Sequence, residues 1–195
     1  MQGEVDELGC ELVVGLGNPG ARYAGNRHNV GFMVVDRLCE RHGVGAMRSK
    51  FKGEFAKGTV RGRDLLLLKP HTFMNLSGEA VRAAMTFFKL TPTQVLVVHD
   101  ELDLPFGSVR LKVGGGTAGH NGLKSIQSHC GGPGFMRLRL GIGRPKGGPV
   151  QRHVLSDFSS AESTELENVL QSATAVLEDV LEFGIQAAMN RHHGS

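Results

Sequence analysis

The chain has 195 residues, of which 40% are hydrophobic and 21% charged, and a net charge of +3. That length suits one domain with a full core, and no apolar run approaches the roughly 18 to 20 residues needed to span a bilayer. The first segment, MQGEVDELGCELVVG, is acidic and lacks a signal-peptide core, and Cys10, Cys39 and Cys130 form no C-x-x-C pair. A reducing, cytoplasmic setting is therefore expected, and a cysteine-based zinc site is not.

Glu11 to Gly15 reads as a buried strand that runs into Gly15, Gly17 and Gly20, a G-x-G-x-x-G pattern. A dinucleotide site needs a helix opening at the third glycine, with an acid roughly 20 positions on. Here the polar, turn-rich ARYAGNRHNVG follows, and Asp36 and Glu40 fall inside a later helix. The loop is not expected to hold a dinucleotide. That helix has Val30, Met33, Val34 and Leu38 on one face, Asn29 as N-cap and Gly43 as stop.

FKGEFAKGTV and DLLLLKP flank RGR as a hairpin, and LSGEAVRAAMTFFKL has helical spacing. VLVVHD is a short buried strand that ends at Asp100. SVRLKV and MRLRLGIG alternate like half-exposed strands, with HNGLKSIQSHC as a helix between them. From Ala161 to about His192 the chain is mostly helical, with Leu166, Val169, Leu170, Ala173, Leu177, Val180 and Leu181 on one face. Interleaved helices and strands with some hairpin character predict a single-domain α/β sandwich around a mixed sheet, without repeats or linkers.

Charge is unevenly spread. Leu104 to Ser156 contains no acid but holds Arg110, Lys112, Lys124, Arg137, Arg139, Arg144, Lys146 and Arg152. Asp157 to Glu182 contains seven acids and no Lys or Arg. Segregation on solvated faces would explain this blandly. A basic surface for a phosphate-rich partner explains it functionally.

Five polar residues fall at the ends of predicted buried elements: Asn18, His28, Asn75, Asp100 and Asn121. Ligands in open α/β sheets bind at the carboxyl ends of strands. Taken singly, Asn75 and Asn121 read as helix N-caps. Together the five make a hydrolytic kit without a protein nucleophile, since there is no G-x-S-x-G and no cysteine in a comparable motif. A histidine held by a carboxylate can deprotonate water, and side-chain amides can stabilise an oxyanion. A hard-metal site at His99, Asp100, Glu101 and Asp103 competes, but strand alternation would aim these neighbours apart. Arg110 and Lys112 lie on one face of their strand, just before the glycine-rich GGGTAGHNG, which reads as a flexible rim or as plain tight turns.

Four segments, LVVGLGNPGARYAGNRHNVGF, LLLLKPHTFMNLSGEAV, VLVVHDELDLPFGSVRLKVGGGTAGHNGLKSI and FMRLRLGIGRP, resemble in order the bacterial-type peptidyl-tRNA hydrolases. The resemblance covers nearly the whole chain from about Leu12 to His192. It implies a single α/β domain, a three-layer sandwich with a mixed twisted sheet, that is monomeric, cytoplasmic and free of metal and cofactor. It implies hydrolysis of the ester between a peptide and the 3′-terminal ribose of tRNA, with peptidyl-tRNA as partner and no membrane. His28 is then the general base, Asp100 its orienting partner, and Asn18 and Asn121 the amides that position substrate and water. Met74 and Asn75 belong to the peptide cleft, with Tyr23 at its edge and His120 in its wall. Lys112 and Arg139 clamp the tRNA 5′-phosphate. Asn26 departs from the family's common threonine, which puts the hydrogen bonding around His28 in question. Residues 1–10 are an extension without a family role, expected to be flexible, and residues 144–155 are expected to form a mobile cover over the cleft.

Overall fold

The computed structural model describes residues 9–193. A mixed sheet of seven strands is built from β1 (Leu12–Gly15), β2 (Arg48–Lys50), β3 (Gly53–Val60), β4 (Arg63–Pro70), β5 (Val95–Glu101), β6 (Val109–Val113) and β7 (Met136–Gly141). Their spatial order is β2-β3-β4-β1-β5-β7-β6. The central pairs β4-β1, β1-β5 and β5-β7 are parallel, and the flanking pairs β2-β3, β3-β4 and β7-β6 are antiparallel. The helices are α1 (Val30–Arg41), α2 (Ser77–Phe88), α3 (Asn121–His129), α4 (Val150–Val154), α5 (Ser160–Phe183) and α6 (Ile185–His193).

The two faces of the sheet carry separate apolar clusters, which makes three layers. Val13, Leu67, Val98 and Leu138 pack with α1 and α5 on one face. Leu12, Val14, Leu68 and Val97 pack with α2 and α3 on the other. The alternation of β1 between these clusters is the period-2 consequence of a strand buried on both sides.

The glycines after β1 serve close packing. A Cβ at Gly31 would collide with the Val98 carbonyl and the Leu16 backbone, and one at Gly15 would collide with the Gly31 carbonyl. α1 therefore approaches β1 and β5 more closely than a side chain would permit. No α-helix opens at Gly20; a short 3₁₀ helix, Ala21–Tyr23, follows it, and a second, Arg27–Asn29, leads into α1.

Several expectations need correction. β2 is a strand that the sequence does not signal, because its three residues are exposed and have no apolar pattern. The C-terminal helical stretch is two helices, divided at Gly184, whose φ of 87° ends α5. β7 is not half-exposed: it is an inner strand flanked by β5 and β6, and Arg137 on it is only 2% exposed. Of the N-terminal extension, residues 1–8 lie outside the described residues; Cys10 is buried in the core, where burial pushes its thiol up to about 12.

Candidate active site

The chain leaves β1 towards one face, into α1, and leaves β4 towards the other, into α2. A crevice opens between such diverging connections at the carboxyl ends of the strands. It holds a cavity of about 610 Å³. Asn18 comes from the loop after β1, Met74 and Asn75 from the turn after β4, Asp100 from the end of β5, and His120 and Asn121 from the start of α3. His28 completes the wall. Seven of the ten expected site residues are thus brought together. Tyr23, in the 3₁₀ turn Ala21–Tyr23, does not line this cavity.

Asp100 lies at the centre, with its side chain only 2% exposed. His28 Nδ1 stands 2.8 and 3.0 Å from its two oxygens, and His120 Nε2 stands 2.9 Å from Oδ1. The partners fix both tautomers. His120 Nδ1 accepts the backbone N–H groups of Gly122 and Leu123 at 3.1 and 3.3 Å, so its proton sits on Nε2 and is donated to Asp100. His28 donates its Nδ1–H to the same carboxylate, which leaves the Nε2 lone pair free at the cavity.

The electrostatics follow from that geometry. Burial would raise the Asp100 pKa, but the two imidazoles, by charge and by hydrogen bond, hold it well below the usual carboxylate range. Burial would lower the His28 pKa, but the Asp100 charge and hydrogen bond outweigh it and raise it above 6.5. Asp100 is thus a fixed anion, and His28 a strengthened base.

Asn18 is 7% exposed and held on three sides. Its backbone N–H donates to Asn29 Oδ1 and its carbonyl accepts from Asn29 Nδ2, each at 2.9 Å. Its own Oδ1 accepts the Met74 N–H at 2.8 Å. With Oδ1 occupied, the Nδ2 donors face the cavity. Asn29 sits at the N-cap position of α1 but makes no capping bond, because its amide is spent on Asn18. Nothing in the sequence signalled this, since a cap and a clamp look alike there.

Neither Asn75 nor Asn121 is a cap. The α3 cap is His120, and α2 starts after Leu76 without a side-chain cap. Asn75 and Asn121 are exposed, line the cavity and make no side-chain hydrogen bond among the described residues. Asn26 donates to Asp157 Oδ1 at 2.7 Å, not to His28. With Arg27, which bonds the His153 and Ser156 carbonyls and Glu162, it ties the His28 turn to the chain around α4. Arg144, Val150, Gln151, Val154 and Leu155 of the expected cover line the cavity.

The HDELD residues diverge. His99 turns to Arg137, Glu101 lies 3.9 Å from Arg139, and Asp103 pairs with Arg144 at 2.7 Å. Among the described residues, the group whose ligating atoms converge within 4.8 Å is His28, Asp100 and His120. Its geometry fits two ring protons shared with one carboxylate.

Lys112 and Arg139 lie outside the cavity. Arg110 pairs with Arg139 and Lys112 with Arg137 across β6-β7, so Lys112 and Arg139 are diagonal neighbours on one face. The Lys112 ammonium end lies against Gly115, and the buried Arg139 Nε has no partner among the described residues.

The family model described as peptidyl-tRNA hydrolase matches residues 12–195. The peptidyl-tRNA hydrolase of Synechococcus sp. (strain JA-3-3Ab) is 50% identical over 188 residues, 95% of this chain and 84% of that protein. The peptidyl-tRNA hydrolase of Geobacter sulfurreducens is 47% identical over 186 residues, 95% of this chain and 96% of that one. The crystal structure of peptidyl-tRNA hydrolase from Acinetobacter baumannii superposes with a TM-score of 0.88 at 41% identity, covering 93% of each chain. With a model matched from the first strand onward and relatives alike along almost their whole length, this chain belongs to the peptidyl-tRNA hydrolase family.

Proposed function

We propose that this chain hydrolyses the ester between a peptide's C-terminus and the 3′-terminal ribose of tRNA, with His28 as the base that activates water. The observation that carries the mechanism is the Asp100 carboxylate holding His28 Nδ1 at 2.8 Å while Nε2 stays free at the cavity. Nε2 takes a proton from water as the water oxygen attacks the ester carbonyl carbon. The Asn18 Nδ2 donors, with Asn121, stabilise the negative charge that develops on the carbonyl oxygen. The ribose oxygen then leaves with the proton that His28 acquired, which frees tRNA and peptide and restores the base. Asp100 stabilises the imidazolium formed in between. Met74 and Asn75 line the path of the peptide. These steps call on no metal ion or other cofactor.

Lys112 and Arg139 bind the tRNA 5′-phosphate; their shared face supports that role. As the family resemblance implies, the enzyme acts as a monomeric, single-domain protein in the cytoplasm and recycles tRNA. No helix among the described residues is long and apolar enough to cross a membrane.

Turnover of peptidyl-tRNA by His28→Ala, assayed with EDTA, tests the mechanism. Loss of a positioned base costs roughly 10²- to 10⁴-fold in rate. The variant is expected to lose that much while its melting temperature and tRNA binding stay near those of the unaltered protein. Near-normal turnover by the folded variant overturns the assignment. Turnover by the unaltered enzyme that EDTA abolishes overturns the metal-free route.

A further inference from the structure

β7 carries a side chain that the mechanism above leaves unused. Arg137 is 2% exposed and takes part in no ion pair among the described residues. Its Nε donates to His99 Nε2 at 3.1 Å, and its Nη1 donates to the carbonyls of Gly114 and Gly116 at 3.2 and 2.8 Å. Burial lowers its pKa, and Arg139 lowers it further, against the opposing influence of Glu101. A guanidinium withdrawn from water without a carboxylate is a poor device for stability, since apolar groups of similar volume often do as well or better.

The partners of Arg137 lead in two directions. On one side they are the backbone of the glycine-rich loop, against which the end of Lys112 rests at Gly115. On the other, His99 accepts from Arg137 at Nε2, so its proton is on Nδ1, which donates to the Asp100 carbonyl at 2.8 Å. The fully buried His99 is kept neutral: burial drives its pKa well below 6.5, and the Arg137 guanidinium reinforces the shift. Its ring meets that of His120 edge-on, with centroids 5.3 Å apart, and His120 donates to the Asp100 carboxylate. A continuous set of packed and hydrogen-bonded groups thus joins the loop beside the phosphate clamp to the carboxylate that orients the base.

We propose that Arg137 is a positioning residue for hydrolysis, acting through His99 to fix Asp100 and His120 relative to the Gly114–Gly116 loop. The proposal rests on the reading of Asp100 as the partner of His28. It places Arg137 away from the reacting atoms, so its removal should alter kcat through Asp100 while leaving tRNA binding largely intact.

A double-mutant cycle tests this. Arg137→Met, Asp100→Asn and the double variant are compared by kcat and KM on full peptidyl-tRNA and on a minimal ester without a 5′-phosphate. Arg137→Met is expected to lower kcat tenfold or more on both substrates with little change in KM. The double variant is expected to lose no more than Asp100→Asn does. His99→Gln, which keeps an acceptor for Arg137 but removes the ring from His120, carries the same cycle should Arg137→Met fail to fold. Arg137→Lys, which keeps the charge with fewer donors, should retain more activity than Arg137→Met. Unchanged kcat in folded Arg137→Met, or losses that multiply with those of Asp100→Asn, overturns the proposal. Full activity in Asp100→Asn instead removes the reading of the catalytic pair, a result distinguishable from any result at Arg137.

Discussion

Asp100 and His28 form a pair in which each residue determines what the other can do. The carboxylate is acceptor-only and buried, so it selects the Nδ1–H tautomer of His28 and leaves Nε2 unprotonated. Its charge also raises the pKa of His28, against the influence of burial. A base works only when deprotonated, so activity should be lost as pH falls through that raised value. The profile of kcat/KM should follow one ionisation with a midpoint above the ordinary 6.5 of histidine. Asp100→Asn removes the raising charge and leaves burial to dominate, so the midpoint should move down. An asparagine can also donate to Nδ1, which would place the ring proton on the wrong nitrogen, and the plateau should fall roughly 10²- to 10⁴-fold. pH–rate profiles of the two enzymes check both effects. An unmoved midpoint would mean that the ionisation belongs to another group.

At the scale of elements, the start of α3 shows where function and capping part company. His120 and Asn121 stand together at the start of α3, and a sequence reading gives the cap to the asparagine. The structure gives it to His120, whose Nδ1 takes two backbone N–H groups while Nε2 serves Asp100. Asn121 is therefore released to the cavity. Asn121→Asp should change stability by no more than about 0.5 kcal/mol, because no cap is lost. It should nonetheless lower kcat/KM sharply, because a carboxylate cannot donate to a carbonyl and repels an oxyanion. Thermal melting read beside turnover decides between these roles, and an active Asn121→Asp enzyme would leave the amide without one. The same contrast explains what the sequence made legible. Periodicity located α1, α2, α3 and the β3-β4 hairpin, because each buries one apolar stripe or alternates against one covered face. It placed Asn18, His28, Asp100 and Asn121 at strand–helix junctions for the same reason. It could not anticipate that Arg137 on β7 is enclosed, since that depends on which elements cover that face of the sheet. Nor could it show that Asn29 clamps Asn18, a contact set by the return of the chain.

Across the whole molecule the charge segregation has a structural consequence. Four acids of α5 face cations from the N-terminal half: Glu162 pairs with Arg27, Glu167 with Arg37, Glu178 with Arg41, His42 and Arg61, and Glu182 with Arg61, while Asp179 pairs with Arg191 and His192. The Arg37–Glu167 pair is exposed and adds little stability, whereas Glu178 is buried; the importance of these pairs here is that they occupy acids of α5. Of the cations between Leu104 and Ser156, Arg110, Lys112, Lys124, Lys146 and Arg152 make no ion pair among the described residues, and the Arg139–Glu101 contact is long at 3.9 Å. The bland account, charges merely solvated on separate faces, predicts that their removal hardly matters. A phosphate site predicts otherwise. Arginine can grip a phosphate with two parallel hydrogen bonds, and lysine adds a compact charge. Lys112→Ala and Arg139→Ala should each raise KM for full peptidyl-tRNA while largely keeping kcat, and each should flatten the salt dependence of binding by roughly one unit or somewhat less. A minimal ester without the 5′-phosphate should be cleaved almost equally by variant and unaltered enzymes. Removing the 5′-phosphate from the full substrate should reproduce the defect and add little to it in either variant. If the unaltered enzyme cleaves phosphorylated and dephosphorylated substrates alike, the clamp assignment fails and the acid-free surface must contact another part of the tRNA.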